Sequence, residues 1–212
     1  MSENSPLDAF LKGIDRRLQS EYDGAVLVVG DEGVGKSTLM LELTGRFQER
    51  YRDFERTADT VLGSIVWHRR KEFKEALTER PTGSVINIPD AARVLHKKRA
   101  MAGDQVELEM DMLDVRTKNY FLMFGYQDWG IVPSDLAERR AHYCLRIPKR
   151  GVVEGYTRSQ LDEKVEMGRG EWPDNPDFVD HFPDLAGTAL WDAYVRRDKE
   201  AKEERMAAEK EP

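Results

Sequence analysis

The segment that most constrains this chain is Gly30-Asp-Glu-Gly-Val-Gly-Lys-Ser37, which matches G-x-x-x-x-G-K-[ST] at every specified position. A short apolar run rich in valine, residues 25–30, leads into it and is typical of a strand buried on both faces. A helix-forming run begins at Lys36 and follows it. A strand, a glycine-rich loop and a helix in this order predict a loop that wraps phosphate groups in main-chain amides.

Each part of this loop has a chemical reason. The glycines let the backbone curl so that successive N–H groups face phosphate oxygens, and the following helix presents its positive end to the same anion. Lys36 is expected to reach the β- and γ-phosphates, and the Ser37 hydroxyl to ligate Mg²⁺. The sequence therefore predicts ATP and Mg²⁺ as the bound groups. The predicted nucleotide-binding residues are Gly30, Asp31, Glu32, Gly33, Val34, Gly35, Lys36, Ser37 and Thr38.

A nucleotide site of this kind also needs an acid at the end of a neighbouring strand, and the candidate is Asp90. It follows the apolar run at residues 85–88, where a pair of acids is the usual ending. Two alignments are open. In one, Asp90 is the magnesium-side aspartate and Ala91 stands where a catalytic glutamate is expected. In the other, Pro89 replaces the aspartate and Asp90 takes the base position, so either alignment leaves one acid missing.

Composition favours a globular chain without a membrane anchor. The 212 residues suffice for an α/β domain, and 40% apolar with 34% charged residues argues against disorder. Cys144 is the only cysteine, which excludes an internal disulfide and favours a cytoplasmic location. The net charge of −7 alone disfavours a protein that coats nucleic acid, although a local basic run at residues 96–99 provides a candidate contact to DNA phosphates.

Strands alternate with helices along the chain, which predicts a mainly parallel sheet covered on both faces. We expect residues 1–158 to form the core and residues 159–212 to form a loop and a C-terminal helical extension packed on it. The predicted strands are residues 25–30, 60–68, 84–88, 120–124, 142–147 and 152–156, and the predicted helices are residues 6–19, 36–43, 69–77, most of 91–115, 133–140 and a last one from about Thr188.

A second pattern lies in the middle of the chain. Arg116 is followed by the buried strand at residues 120–124 and then by Gln127. An arginine, a strand and a terminal glutamine in this order resemble the FtsK/HerA superfamily of DNA-pumping ATPases. The pattern is closer still to the compact genome-packaging ATPases of membrane-containing viruses and to small NTPases of archaeal viruses. The resemblance covers roughly residues 25–158.

The resemblance implies a three-layer, RecA-like P-loop NTPase that hydrolyses ATP to translocate double-stranded DNA without sequence specificity, as in viral genome packaging. It also implies a homo-oligomeric ring, with a hexamer as one form. In such proteins Gln127 would sense the γ-phosphate and Arg116 would act on a neighbouring subunit's nucleotide, with Arg93 a second candidate. The predicted catalytic residues are then Lys36, Asp90, Gln127 and Arg116, with Ser37 and Asp90 at the metal. Pro89 departs from the family pattern and puts hydrolysis in question.

Two other functions remain open at this stage. A nucleotide-binding structural or regulatory protein with weak or lost hydrolysis fits the missing acid. A small-molecule kinase shares the loop and the chain length, but it needs an arginine-rich lid. Residues 157–170 carry Arg158, Lys164 and Arg169 and have little lid character.

Overall fold

The computed structural model describes residues 5–67, 70–95 and 118–208. Its helices are α1 (Pro6–Gln19), α2 (Lys36–Tyr51), α3 (Ala58–Leu62), α4 (Arg70–Glu79), α5 (Ala91–Val94), α6 (Arg158–Met167) and α7 (Ala189–Ala208). A 3₁₀ turn spans Trp129–Ile131 and a π-helical turn spans Leu136–Arg140. The strands are β1 (Gly24–Val29), β2 (Val85–Ile88), β3 (Phe121–Tyr126), β4 (Tyr143–Lys149), β5 (Val152–Thr157) and β6 (Phe178–His181).

The strands form one mixed sheet in the order β2-β3-β1-β4-β5-β6. The first four strands of this order pair in parallel, and β5 and β6 add to one edge as antiparallel strands. Every residue of β1, β2 and β3 is buried, as their continuous apolar sequences predict. The prediction of a mainly parallel sheet is therefore confirmed.

Helices cover both faces of this sheet. On one face, alternate residues of β1 such as Leu27 pack with α4, α5, α6 and the π-helical turn. On the other face, the intervening residues such as Val28 pack with α1 and α2. Successive side chains of a strand point to opposite faces, so a strand flanked by helices on both sides must be apolar throughout. The arrangement is compatible with a three-layer α/β fold.

A third apolar cluster joins the C-terminal helix to the rest of the chain. Tyr194 of α7 packs with Leu41 of α2 and Val61 of α3, and Leu185 completes the contact. These residues form a cluster separate from the two that cover the faces of the sheet. The helix that follows the phosphate-loop sequence is therefore also a packing partner of α7.

Three segments differ from the sequence-based expectation. The predicted strand at residues 60–68 is wrong, because Thr57 and Thr60 form a reciprocal capping box that starts α3. Of the described residues 60–67, only Ile65 pairs with the sheet, through an isolated bridge to Asn87. Helix α6 and strand β6 were not expected, and β6 lies within a stretch predicted to be a loop. Of the helix predicted over most of residues 91–115, α5 forms the first four residues, and residues 96–115 lie outside the described residues.

A buried network of charged side chains ties α2 to its surroundings. Arg46 donates to Glu42 at 2.7 Å within α2 and to Asp8 of α1 at 3.2 Å. Arg56 also donates to Glu42. Burial raises the pKa of Glu42, but the hydrogen bonds and charges of Arg56 and Arg46 outweigh it, so the pKa lies below its ordinary value. The carboxylate is thus stabilised in its ionised form.

Glu42→Gln keeps the side-chain size and removes the charge. We expect the free energy of unfolding at neutral pH to fall by about 1–3 kcal/mol, because two arginines lose an ionised acceptor. The folded pKa of Glu42 is lowered, so the wild-type advantage is present above the ordinary carboxyl pKa and is lost as the pH falls through the folded pKa. Urea unfolding of both proteins in neutral and acidic buffer measures the effect.

Glu75→Gln on α4 is the matched control, because its ion pair with Lys71 is solvent-exposed. Such pairs contribute at most about 1 kcal/mol. A loss at Glu42 no larger than the loss at Glu75, or one that is the same at every pH, would contradict this account of the network.

Candidate functional site

The residues predicted to carry chemistry follow three neighbouring parallel strands. Gly30 comes directly after β1, Pro89 and Asp90 come directly after β2, and Gln127 comes directly after β3. The register aligns the strand ends, with Val29 opposite Tyr126 and Ile88 opposite Phe124. Because the strands are parallel, all three segments leave the sheet at the same edge. The fold itself brings them together.

The glycine-rich loop ends at Gly35, which is the N-cap of α2. Gly35 has a φ of 104°, which disfavours any residue with a side chain, and a Cβ at this position would lie 3.2 Å from the ring of Phe182. No side chain caps the N-terminus of α2, and its first turn holds no acidic residue. The N–H groups of this turn are therefore suited to an anion, since they and the helix dipole are not neutralised by the chain. This donor set fits a polyphosphate.

Lys36 is held by the loop itself. Its ammonium group donates to the main-chain carbonyl oxygens of Gly30 and Asp31, at 2.7 Å in each case. Burial lowers the pKa of Lys36, and the charges of Asp31, Glu32 and Asp90 oppose that shift. The side chains of Asp31 and Glu32 are exposed. Lys36 thus lies at the glycine-rich loop, with the acid that follows β2 close enough to affect its pKa.

Asp90 does not cap the helix that follows it. It occupies the N-cap position of α5, but its side chain makes no capping hydrogen bond and instead forms an ion pair with Arg93. A capping role is therefore not what holds this carboxylate. Arg93, a candidate to act on a neighbouring subunit, is bound to Asp90 of its own chain in this structure.

Ser37 has a partner that the sequence does not suggest. The phenol of Tyr194, on α7, donates to the Ser37 hydroxyl oxygen at 3.0 Å. The two residues are 157 positions apart in the chain. Burial is the main cause of a rise in the pKa of Tyr194 to about 12, so the phenol is protonated and acts as a donor.

One cavity of about 430 Å³ collects most of the predicted site. Its walls include the loop from Glu32 to Thr38 apart from Val34, with Asp90 and Gln127 opposite. Val34 instead packs against the core cluster that contains α1 and α2. Gly30 and Asp31 line a neighbouring cavity, which also contacts Gln127. The structure thus brings together Lys36, Ser37, Asp90 and Gln127.

Several lining residues were not predicted as site residues. Arg150 reaches the cavity from the turn between β4 and β5, and it is paired with Asp184 at 2.8 Å. Pro89 and Gly125 line it at the strand ends, and α7 contributes Trp191, Tyr194, Val195, Asp198 and Lys202. No local motif marks these positions. The only signal in the sequence is the three- and four-residue spacing that places the α7 residues on one face of a helix.

Two tryptophans that line the second cavity, Trp129 and Trp172, pack on a buried lysine. Lys164 donates to the carbonyl oxygen of Gly168 at 2.7 Å and lies 4.8 Å from the ring of Trp172 and 5.7 Å from that of Trp129. The two indole rings meet edge to face at 5.6 Å. Trp129 therefore packs in an aromatic cluster beside Gln127.

Some predictions lie outside the described residues. Arg116, the candidate trans-acting arginine, is one of them, and the basic run at residues 96–99 is another. Among residues 5–67, 70–95 and 118–208, no three His, Cys, Asp or Glu side chains converge as ligands for a metal ion. Mg²⁺ in nucleotide sites is commonly held by one or two side chains and by the phosphates, and Ser37 and Asp90 fit that donor set.

Comparisons with known proteins add no family. A scan against models of protein families gave no match, and a search of curated proteins gave none either. Within the described part of the chain, no helix combines the length and apolar character needed to cross a bilayer. The case for function therefore depends on the residues of the site.

Gly125 offers a test of how the site is held together. A Cβ at Gly125 would lie 2.3 Å from the carbonyl oxygen of Pro89, so Gly125→Ala must displace the segment that carries Asp90. We expect a loss of about 1–3 kcal/mol in unfolding free energy, because overpacking forces the backbone to shift. Thermal and urea unfolding measure the loss, and the amide NMR signals of residues 88–91 report the displacement.

Gly13→Ala is the control, since a Cβ at this position in α1 has no atom within 4 Å. Alanine favours a helix over glycine, so this variant is expected to be as stable as the wild type or up to about 1 kcal/mol more stable. Equal behaviour of the two variants would show that β3 does not approach Pro89 as closely as described.

Proposed function

We propose that this protein binds ATP with Mg²⁺ at the glycine-rich loop and hydrolyses it. The observation that carries the proposal is the single cavity lined by Lys36, Ser37, Asp90 and Gln127, which come from three segments at one edge of the sheet. A lysine, a hydroxyl, a carboxylate and an amide around an uncapped helix N-terminus are the groups that phosphoryl-transfer sites of P-loop proteins use. RecA-like P-loop architecture is part of the same proposal.

Each residue has a role that follows from its chemistry. The main-chain amides from Gly33 to Ser37 bind the phosphate oxygens, and Lys36 leaves its carbonyl partners to neutralise the β- and γ-phosphates. Ser37 and Asp90 are the side chains that would hold Mg²⁺. When bound, the metal ion would supply positive charge that offsets the negative charge of the phosphates.

Hydrolysis requires a water molecule to be oriented toward the γ-phosphate. Gln127 is exposed to the cavity and lies at the end of β3, between the loop that follows β1 and the acid that follows β2. From this position its amide can contact both a water and a phosphate oxygen, as the glutamine of other nucleotide hydrolases does. Strand order therefore supports a sensing role for Gln127.

We extend the proposal to a motor that translocates double-stranded DNA, as in viral genome packaging, working as a homo-oligomeric ring. This part is supported by the resemblance to the FtsK/HerA superfamily, which is carried by the glycine-rich loop, the strand at residues 120–124 and Gln127. Arg116 would complete the site of a neighbouring subunit, and the basic run at residues 96–99 would contact phosphates of the DNA backbone.

A second candidate function is a nucleotide-binding regulatory protein with weak hydrolysis. Two observations favour it. Pro89 stands where an acid is expected, and the one acid present, Asp90, forms an ion pair with Arg93. Such a protein would bind Mg²⁺ and ATP at the same loop and release phosphate slowly.

Lys36→Ala should weaken ATP binding in the presence of Mg²⁺ by roughly 10- to 100-fold, the value of charged hydrogen bonds to the phosphates. Equilibrium dialysis with labelled ATP measures the affinity. Lys12→Ala on the exposed side of α1 is the control and should bind as the wild type does. Equal ATP affinity of the Lys36 variant and the wild type would end the case for nucleotide binding at this loop.

Asp90→Asn tests hydrolysis, and we expect it to reduce phosphate release at least tenfold because the carboxylate that supports the metal shell is lost. Asp162→Asn removes a carboxylate paired with Arg158 on an exposed helix face and is the control. Under the regulatory alternative the wild type itself releases little phosphate, and Pro89→Asp raises the rate.

Phosphate release with and without duplex DNA, on a sample of measured solution mass, separates a motor from a monomer that DNA does not stimulate.

A further inference from the structure

Near its N-terminus, helix α7 contacts a functional group of the glycine-rich loop. The Tyr194 phenol donates to the Ser37 hydroxyl oxygen at 3.0 Å, and the Tyr194 side chain is only 8% exposed. Trp191, Val195 and Asp198 lie on the same face of α7 and line the cavity opposite the loop. The wall of the cavity facing the loop is thus supplied largely by a segment far away in the chain.

The position of the phenol is fixed by aromatic packing on both sides. The ring of Tyr194 lies 5.6 Å from that of Trp67 and 5.4 Å from that of Trp191, with interplanar angles of 31° and 30°. Leu41 and Val61 pack beneath it. The hydroxyl therefore approaches Ser37 as part of an ordered cluster.

This contact conflicts with the role proposed for Ser37. Mg²⁺ usually keeps several water ligands, so an ion held by Ser37 would need free space around the serine oxygen. A phenol oxygen hydrogen-bonded to that same atom occupies part of this space. The Asp198 carboxylate also lines the cavity, where it is paired with Lys202 at 2.5 Å.

The other functional groups of the site are engaged in the same way. Lys36 is bound to the loop carbonyl oxygens, and Asp90 is paired with Arg93. The conformation described here thus pairs the lysine, the serine and the aspartate of the site from within the chain. Among these contacts, the one from Tyr194 comes from a helix remote from the strand ends.

We propose that α7 is a gate that regulates this site, with Tyr194 competing with the magnesium–nucleotide complex for Ser37, so that binding of this complex requires α7 to withdraw. The inference rests on the proposed function. Apart from Tyr194, the only α7 side chain that the structure describes as buried is Ala201, and Arg196, Lys199 and Glu200 between them are exposed. Few buried contacts oppose the withdrawal of such a helix.

Tyr194→Phe keeps the aromatic packing and removes the hydrogen bond to Ser37. Calorimetric titration with ATP and Mg²⁺ should show binding that is roughly three- to tenfold tighter than in the wild type, the value of one hydrogen bond. With ATP and EDTA the two proteins should bind alike, because Ser37 is then not a metal ligand. Tyr120→Phe is the matched control, since its phenol is bonded to carbonyl oxygens of Leu77 and Arg80, before the start of β3, and is not among the cavity's lining residues.

Hydrogen–deuterium exchange on the wild type provides a second measurement that needs no variant. The gate predicts faster exchange across α7 when ATP and Mg²⁺ are added. Unchanged or weaker binding by Tyr194→Phe, or increased protection of α7 by the ligand, would overturn the gate while leaving Lys36-dependent ATP binding intact. If neither the wild type nor any variant takes up ATP, the proposed function fails and the gate fails with it.

Discussion

Parallel pairing at the centre of the sheet is the constraint on which this site depends. β1 pairs with β3 on one side and β4 on the other, with Val29 opposite both Tyr126 and Arg146. Strands that run in the same direction end at the same edge, so the segments that follow them must meet there. The central strands are buried on both faces, which leaves their ends as the places where polar groups can be exposed. A cluster of lysine, hydroxyl, carboxylate and amide is a consequence of this geometry.

The features that the sequence predicted are those encoded within a few residues. Continuous apolar runs gave the central strands, and Ser5 before Pro6 marks the start of α1 with a side-chain cap. The strand expected at residues 60–68 is wrong because the side chains of Thr57 and Thr60 cap α3, and this local signal outweighs the strand propensity of the β-branched residues that follow. β6 was missed because it is a half-exposed edge strand in a stretch rich in glycine and proline.

The same distinction between local and long-range features applies to the candidate site. The glycine-rich loop, Asp90 and Gln127 follow individual strands, so their convergence can be predicted once the strands are known to be parallel. The contact between Tyr194 and Ser37 spans 157 positions and depends on how α7 packs against α2 and α3. No periodicity or motif encodes such a contact, because the helix face that makes it resembles any other partly buried face. Tertiary packing alone decides which residues complete the cavity.

The placement of the tryptophans has a practical consequence. The 4 tryptophans of the chain form two groups. Trp67 and Trp191 both pack against Tyr194, and Trp129 packs against Trp172 beside the second cavity. Each pair borders the phosphate loop from a different direction. Any rearrangement there changes the polarity around an indole, so the emission spectrum of the unlabelled protein is a built-in optical reporter. Replacing one pair by phenylalanine at a time would assign each spectral change to one side of the loop.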